Sequence, residues 1–308
     1  MYPTRQIDRL QAEDIEYLGT KRKFWFTFEG ERYLFKAEER GTGEDWAEKI
    51  VCELARVIGL PHVKYELAHE TEGGKPIQPG VICARFVKRP QSFEMGNQLL
   101  VQRDPNYPTD EHAKYRVKDY SVGAVAAVVA SLEAPAAGWM ESAPAGIFSA
   151  LDVFAGYLLL DTWVANQDRH HQNWGAIRDG EKLMLAPTYD HGSSLARNLT
   201  DEERKDRLRT KDKGRTVAQF AARARSGFYH GPADKKTLYA LEVVEEFADH
   251  APSGIFIWKE ALSRVTPEIV QMILNEIPPQ RMTPITREFT FTLLMVNQQR
   301  LLQSTGTP

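Results

Sequence analysis

With 308 residues, 42% hydrophobic and 26% charged, and a formal net charge of −3, the chain can bury a full core. It sits near the size at which one core divides into two. So balanced a charge argues for neither a nucleic-acid partner nor a membrane surface, and two cysteines, Cys52 and Cys83, make neither a disulfide framework nor a structural zinc site on their own. The opening "MYPTRQIDRLQAEDIEYLG" carries no apolar signal segment, and the longest small-apolar run, residues 122–132, is too short for a bilayer. A cytoplasmic protein with buried, reduced thiols is expected.

The first elements read as β structure. The aromatic runs "KFWFTF" (23–28) and "ERYLFK" (31–36) flank Glu29-Gly30 and predict an antiparallel hairpin. Pairing about that turn sets Phe24 opposite Phe35, Trp25 opposite Leu34 and Lys23 opposite Lys36. The two lysines then share a face at the open end, beside "GTKRK". A helix follows in "GEDWAEKIVCELARVIGLP", where Ile50, Val51, Leu54, Ala55 and Ile58 recur at helical spacing and Gly59 and Pro61 stop it. "PGVICARFVKRP" (79–90) reads as a buried strand between prolines. The composition changes in the Pro-, Asn- and Asp-rich stretch 102–112, which divides the chain into residues 1–110 and 111–308.

Beyond Tyr115 the signals are helical. Residues 149–165 predict an amphipathic helix with Leu151, Phe154, Ala155, Leu158 and Trp163 facing inward. The tail, 234–303, contains three helical patterns separated by "HAPSG" and "IPPQRMTP". A β-rich first part joined to a helical second part predicts two lobes with a cleft between them, where ligands bind.

The chemistry concentrates in "ANQDRHHQNWG" (165–175), which follows an apolar helix directly and packs Asp168, His170, His171 and Asn173 into one polar knot. Next comes "WGAIRDGEKLMLAPTYDHG", in which Asp179-Gly180 is a strong hairpin signal. Pairing about that turn brings Asn173 level with Ala186, and Asp190 lies four residues beyond. Asp168, Asn173 and Asp190 therefore converge, and their oxygens suit a hard cation such as Mg2+. Such a cation needs phosphates to complete its octahedron, which brings in the amino-terminal lysines. This set serves phosphoryl transfer, in which one carboxylate takes the proton of the attacking hydroxyl while Asn and Asp hold metal. Zinc on His170, His171 and His191 fits poorly, because adjacent histidines point apart and no cysteine is near.

"NQDRHHQN" followed by "LAPTYDHGSSL" resembles the HipA-like kinases, whose catalytic loop runs N-x-D-x-H-x-x-N and whose metal-binding Asp lies in a Pro-x-Tyr-Asp segment. The DRHxxN core is also similar to that of phosphatidylinositol 3- and 4-kinases. The resemblance implies a two-lobed, protein-kinase-like α+β fold (α/β in the broad sense), with a β-rich N-lobe and a mainly helical C-lobe. It implies ATP and Mg2+ as cofactors and transfer of the γ-phosphate to a hydroxyl, with a protein Ser/Thr acceptor first. A small-molecule or phosphoinositide-type lipid acceptor, or a nucleotide-binding pseudokinase that works by interaction, stand as alternatives. An antitoxin-like partner is implied as well, and no direct nucleic-acid or membrane contact. By the same resemblance Asp168 is the catalytic base, Asn173 and Asp190 hold the metal, and His170 braces the loop against the Asp190 segment. Lys36 holds the nucleotide, Glu48 pairs with it, and Arg85, Phe86 and Val87 run into the adenine-binding hinge. The family's phosphate-binding loop contains Ser-x-x-Gly, whereas this chain offers "LGTKRKFW". Gly19, Thr20, Lys21, Arg22 and Lys23 then hold phosphate by basic side chains as much as by backbone N–H groups. By the resemblance, the chain is expected to begin close to the first kinase strand, without the additional amino-terminal domain of longer members.

The stretch "DEERKDRLRTKDKGR" (201–215) mixes seven basic with five acidic residues. It reads as a mobile loop, or as an activation or docking segment in which Thr200, Thr210, Thr216 or Ser193–Ser194 takes a phosphate.

Overall fold

The computed structural model describes residues 1–15, 22–39, 41–108 and 115–304. Its first part is a six-stranded sheet built from β1 (Thr4–Asp8), β2 (Asp14–Ile15), β3 (Lys23–Phe28), β4 (Glu31–Ala37), β5 (Tyr65–Glu72) and β6 (Lys75–Ala84), in the order β1-β5-β6-β4-β3-β2. β1 runs parallel to β5 and the other pairs are antiparallel. The β3–β4 hairpin has the expected register, with Lys23 opposite Lys36 and Phe24 opposite Phe35. Glu29 (φ 52) and Gly30 (φ 79) both take the left-handed conformation that a tight two-residue turn needs.

Alternation along the strands separates two cores. Ile7, Phe24, Phe26, Phe35, Ala37, Ala68 and Ile82 cluster on one face, all supplied by the sheet itself. Tyr65, Leu67, Val81 and Cys83 face the other way and join the main core through α1 (Glu44–Ile58). Lys36, one residue from Phe35, therefore points to the α1 side. Gly59 ends α1 with φ 78, and a Cβ there would lie 2.0 Å from the Ser142 carbonyl oxygen, so no other residue fits.

β5 is absent from the sequence reading because its charged residues obscure the period. So is β1, a five-residue strand. The chain passes from the large sheet to the second part between Ala84 and Ser92, upstream of the composition change at 102–112. There β7 (Ser92–Met95) pairs with β8 (Gly175–Asp179), which pairs with β9 (Lys182–Leu185). In that last hairpin the turn falls one residue later than the sequence suggests. Gly180 (φ 61) takes the first turn position, where a type II′ turn requires glycine. Ala186 thus bonds to Gly175, not Asn173, through a 3.0 Å hydrogen bond from its N–H.

The helices are α2 (Gly96–Arg103), α3 (Val122–Val129), α4 (Ala137–Met140), α5 (Ala150–Trp163), α6 (Asp201–Arg209), α7 (Val217–Ala222), α8 (Ala240–Phe247), α9 (Pro252–Ser263), α10 (Pro267–Asn275) and α11 (Pro284–Gln303). α5 is not amphipathic. It packs against α8, α9 and α11, and Val153, Tyr157, Leu159 and Leu160 are buried along with the expected inward set, while Leu151 is only half-buried. The tail holds four helices, because the turn after Ser263 ends one and Thr266-Pro267 starts the next.

Most of the stretch expected to be a mobile loop is helix α6. Thr200 caps it in a reciprocal box with Glu203, and Arg204 is buried, donating to the Arg197 carbonyl at 3.0 Å. Arg209 meets Glu288 of α11 at 2.8 Å, and Thr286 donates to Asp201 at 2.9 Å. Thr216 caps α7. Two of the threonines proposed as phosphate acceptors are thus engaged in helix caps.

Candidate active site

The loop after α5 is organised around a buried ion pair. Asp161 is a lone charge in the apolar run "LLLDTWV", and Arg169 grips it bidentately, Nε to Oδ2 at 2.7 Å and Nη2 to Oδ1 at 2.8 Å. The same guanidinium donates to the Asn173 carbonyl at 2.6 Å, to Thr188 Oγ1 at 2.9 Å and to His191 Nε2 at 3.2 Å. Burial works against the charge on Arg169, but Asp161 outweighs it and holds the pKa above its usual value. Burial, and then Arg169, push His191 well below the usual histidine range, so its ring is neutral and Nε2 accepts.

Around that knot the loop presents Asp168. Its N–H donates to Asn166 Oδ1 at 3.1 Å, and Asn173 Nδ2 donates to its carbonyl at 2.7 Å. Its carboxylate accepts from Tyr115 Oη at 2.9 Å on Oδ1 and from Ser193 Oγ at 3.2 Å on Oδ2. His170 accepts the Gln172 N–H on Nδ1 at 3.1 Å, which leaves the proton on Nε2, and that nitrogen lies 3.9 Å from Asp168 Oδ1. Arg169 braces the loop against the 188–191 segment through Thr188 and His191. His171 turns away, its Nδ1 2.8 Å from the Tyr107 hydroxyl, and the two imidazoles stand at 87°.

Opposite lies the second charged group. Lys36 Nζ is 2.6 Å from Glu48 Oε1 and 2.5 Å from Asp190 Oδ1, with the Tyr65 ring 5.4 Å away. Asp190 takes φ 59, and its N–H donates to Tyr65 Oη at 3.3 Å. The His191 N–H holds Glu48 Oε2 at 2.9 Å. Burial alone would lower the Lys36 pKa, but Asp190 and Glu48 reverse this and hold it well above the usual lysine value. Burial raises Glu48, and Lys36 only partly offsets it. Of the two carboxylates, Asp190 is the accessible one, with 39% of its side chain exposed against 2% for Glu48. Helix phase separates Glu48 from its neighbours: Glu44 pairs with Arg197 at 2.5 Å, and Glu53 with Lys49 at 2.6 Å and Arg56 at 2.8 Å.

The remaining sequence-selected residues are scattered. Lys23 lies across from Lys36 on the neighbouring strand. Arg22 points to the other face of the sheet, its Nη2 2.5 Å from Glu70 and its guanidinium over the Phe24 ring, and does not join Lys36. Gly19, Thr20 and Lys21 lie outside the described residues. Arg85 continues β6 through an N–H bond to the Arg32 carbonyl at 2.7 Å. Phe86 stacks on Tyr189, centroids 5.8 Å apart, with Phe93 edge-on to both, and Val87 follows at the half-buried crossing.

The donor set fits a hard cation. Asn173 commits its NH2 to the Asp168 carbonyl and keeps Oδ1 for a ligand, and Asp190 offers an accessible carboxylate. Among the described residues no three His, Cys, Asp or Glu side chains form a metal cluster. Sequence reading missed Asp161, Arg169, Tyr65, Tyr115 and Arg197, and selected Ser193 only as a phosphate acceptor. The first had a visible signal, a single acid inside an apolar helix, which must find a buried partner. The others are defined only by contacts across the chain.

A β-rich part followed by a helical part, with a lysine–glutamate pair facing an Asp-Asn loop, is the protein-kinase-like α+β fold. Crystal structures bear this out: the chain superposes on the Helicobacter pylori proinflammatory kinase CtkA with a TM-score of 0.70 at 17% identity, over 98% of this chain and 100% of that one. It also matches HipA of Shewanella oneidensis MR-1, solved with HipB and operator DNA, with a TM-score of 0.58 at 14% identity, over 95% of this chain and 66% of that one. The HipA-like C-terminal domain model matches residues 16–255, and the chain belongs to that family. No curated protein matches it in sequence.

Proposed function

We propose that this protein is an ATP- and Mg2+-dependent kinase that transfers the γ-phosphate to a hydroxyl, with a protein Ser/Thr side chain as acceptor. The observation that carries this reading is the Lys36–Glu48–Asp190 group facing Asp168 and Asn173, with Ser193 of the Asp190 segment bonded to Asp168 itself. In this reading Asp168 takes the proton of the attacking hydroxyl, and His170 turns its N–H toward that carboxylate. Asn173 Oδ1 and Asp190 hold Mg2+, which when bound neutralises charge on the β- and γ-phosphates. Lys36 exchanges its contact with Asp190 for phosphate oxygens while Glu48 keeps it in place. Phe86 and Tyr189, with Arg85 and Val87 beside them, wall the base side of the cleft. Gly19, Thr20, Lys21 and Lys23 contribute to holding phosphate.

The acceptor and partner are part of the same proposal. HipA of Shewanella oneidensis belongs to a toxin–antitoxin system with HipB, and an antitoxin-like protein is the partner we propose here. We place the reaction in the cytoplasm; among the described residues no helix is long and apolar enough to cross a membrane. Incubation with γ-labelled ATP, Mg2+ and cell lysate tests the reading. Label on protein Ser or Thr, lost in Asp168→Asn, is the expected result. Label confined to lipid or small molecules overturns the protein acceptor, and nucleotide binding without any transfer makes the chain a pseudokinase.

A further inference from the structure

Both oxygens of the Asp168 carboxylate are engaged by hydroxyls of the chain itself. Tyr115 Oη donates to Oδ1 at 2.9 Å and Ser193 Oγ to Oδ2 at 3.2 Å. A hydroxyl that is to lose its proton to Asp168 must approach one of the same two oxygens, beside a donor already there. The two donors differ in how they are held. Ser193 is half-buried within the otherwise buried segment 191–196, whereas Tyr115 is 63% exposed and meets Asp168 with its hydroxyl end. Its ring stands edge-on to His170, centroids 5.4 Å apart at 87°. The next residue, Arg116, takes φ 64, a left-handed conformation that a long side chain adopts at some cost. Burial and the Asp168 carboxylate lift the phenol to about 12, so it remains a donor at neutral pH.

We propose that the Tyr115 phenol occupies the acceptor-hydroxyl subsite and gates it, so that an acceptor alcohol reaches Asp168 only by displacing Tyr115 beside His170. The gate rests on the reading of Asp168 as the base. It makes Tyr115 a determinant of acceptor choice, because an acceptor must supply binding energy enough to replace one hydrogen bond and one ring-edge contact. It also keeps water from the base while no acceptor is bound.

Water is the probe that needs no identified acceptor. In that reaction the water oxygen attacks the γ-phosphorus, the bond to the β,γ-bridging oxygen breaks with its electron pair leaving on ADP, and the water proton passes to Asp168. With ATP and Mg2+ alone, Tyr115→Phe removes one exposed oxygen and is expected to raise ATP hydrolysis about threefold to tenfold, the equivalent of one net hydrogen bond. The KM for ATP stays unchanged, and Tyr115→Ala gives at least the same rise. Adding Asp168→Asn to Tyr115→Phe abolishes the gain. Unchanged or slower hydrolysis in both Tyr115 variants, with loss in Asp168→Asn, overturns the gate and leaves the base standing. Wild-type hydrolysis in Asp168→Asn overturns the base, and the gate with it. No hydrolysis in any variant, with ATP bound by calorimetry, also overturns the gate, because an uncovered base beside bound ATP would turn over water.

Discussion

The two ionic groups of the cleft are built on opposite plans. In the loop, Arg169 meets a single carboxylate, Asp161, and spends its remaining donors on Asn173, Thr188 and His191. That group is electrically neutral, buried and closed. Across the cleft one lysine meets two carboxylates, Glu48 and Asp190, and of these Asp190 is the accessible one. A closed buried pair holds geometry, whereas an accessible carboxylate can take a cation. In the proposed reading, ligand chemistry is thus kept apart from the scaffold that positions it.

Breaking the closed group should cost stability most. Asp161→Ala leaves the Arg169 guanidinium buried without its partner, and a loss of about 3–5 kcal/mol is expected in urea denaturation. A loss under 1 kcal/mol would mean that Thr188, Asn173 and His191 suffice to hold that charge. The open group should respond in the opposite sense. Asp190→Asn removes the accessible carboxylate and leaves Lys36 paired with Glu48, so the melting temperature should hold while Mg2+-dependent phosphoryl transfer falls on the order of a hundredfold or more. A joint loss of stability and activity would erase the distinction between the two groups.

The pH dependence sharpens the closed side. His62 bridges to Thr188, one of the Arg169 partners, and is held mostly out of water with Nδ1 2.6 Å from the Leu60 carbonyl. Burial pushes its pKa below the usual 6.5. The folded state therefore binds this proton less readily than the unfolded chain. Its stabilisation is complete above pH 6.5 and is lost as pH falls toward the folded value, by at most about 1.4 kcal/mol per pH unit. His69 and His191 shift in the same direction, so His62→Gln should flatten the urea-stability profile below pH 6.5 by one proton's share only. An unchanged profile would place His62 in solvent. The smallest effect is expected at α6: Thr200→Ala removes its cap and should cost about 1 kcal/mol, read as a lower midpoint in urea, with ATP binding unchanged.

What could be read from the sequence was whatever depends on neighbours along the chain. The β3–β4 register follows from a short turn and a period of two, which makes Lys36 and the face it shares with Lys23 legible from the residues alone. α1 follows from apolar spacing and a glycine stop, and that phase singles out Glu48 once Lys36 is known to face it. The polar knot at 165–175 was visible as composition alone. Where two local rules competed, only the fold decided: Gly180 had to take the first turn position, which moved Ala186 from Asn173 to Gly175. The mixed-charge stretch 201–215 looked unstructured because its charges conceal the Thr200 cap and the α11 surface on which α6 rests. Tertiary structure alone decided that Arg169 ties the loop to the 188–191 segment, that Arg22 lies on the far face of the sheet, and that Tyr115 and Ser193 reach Asp168. Each of these joins residues far apart in the chain through a single side-chain contact, which leaves no period, turn or cap in the sequence to mark it.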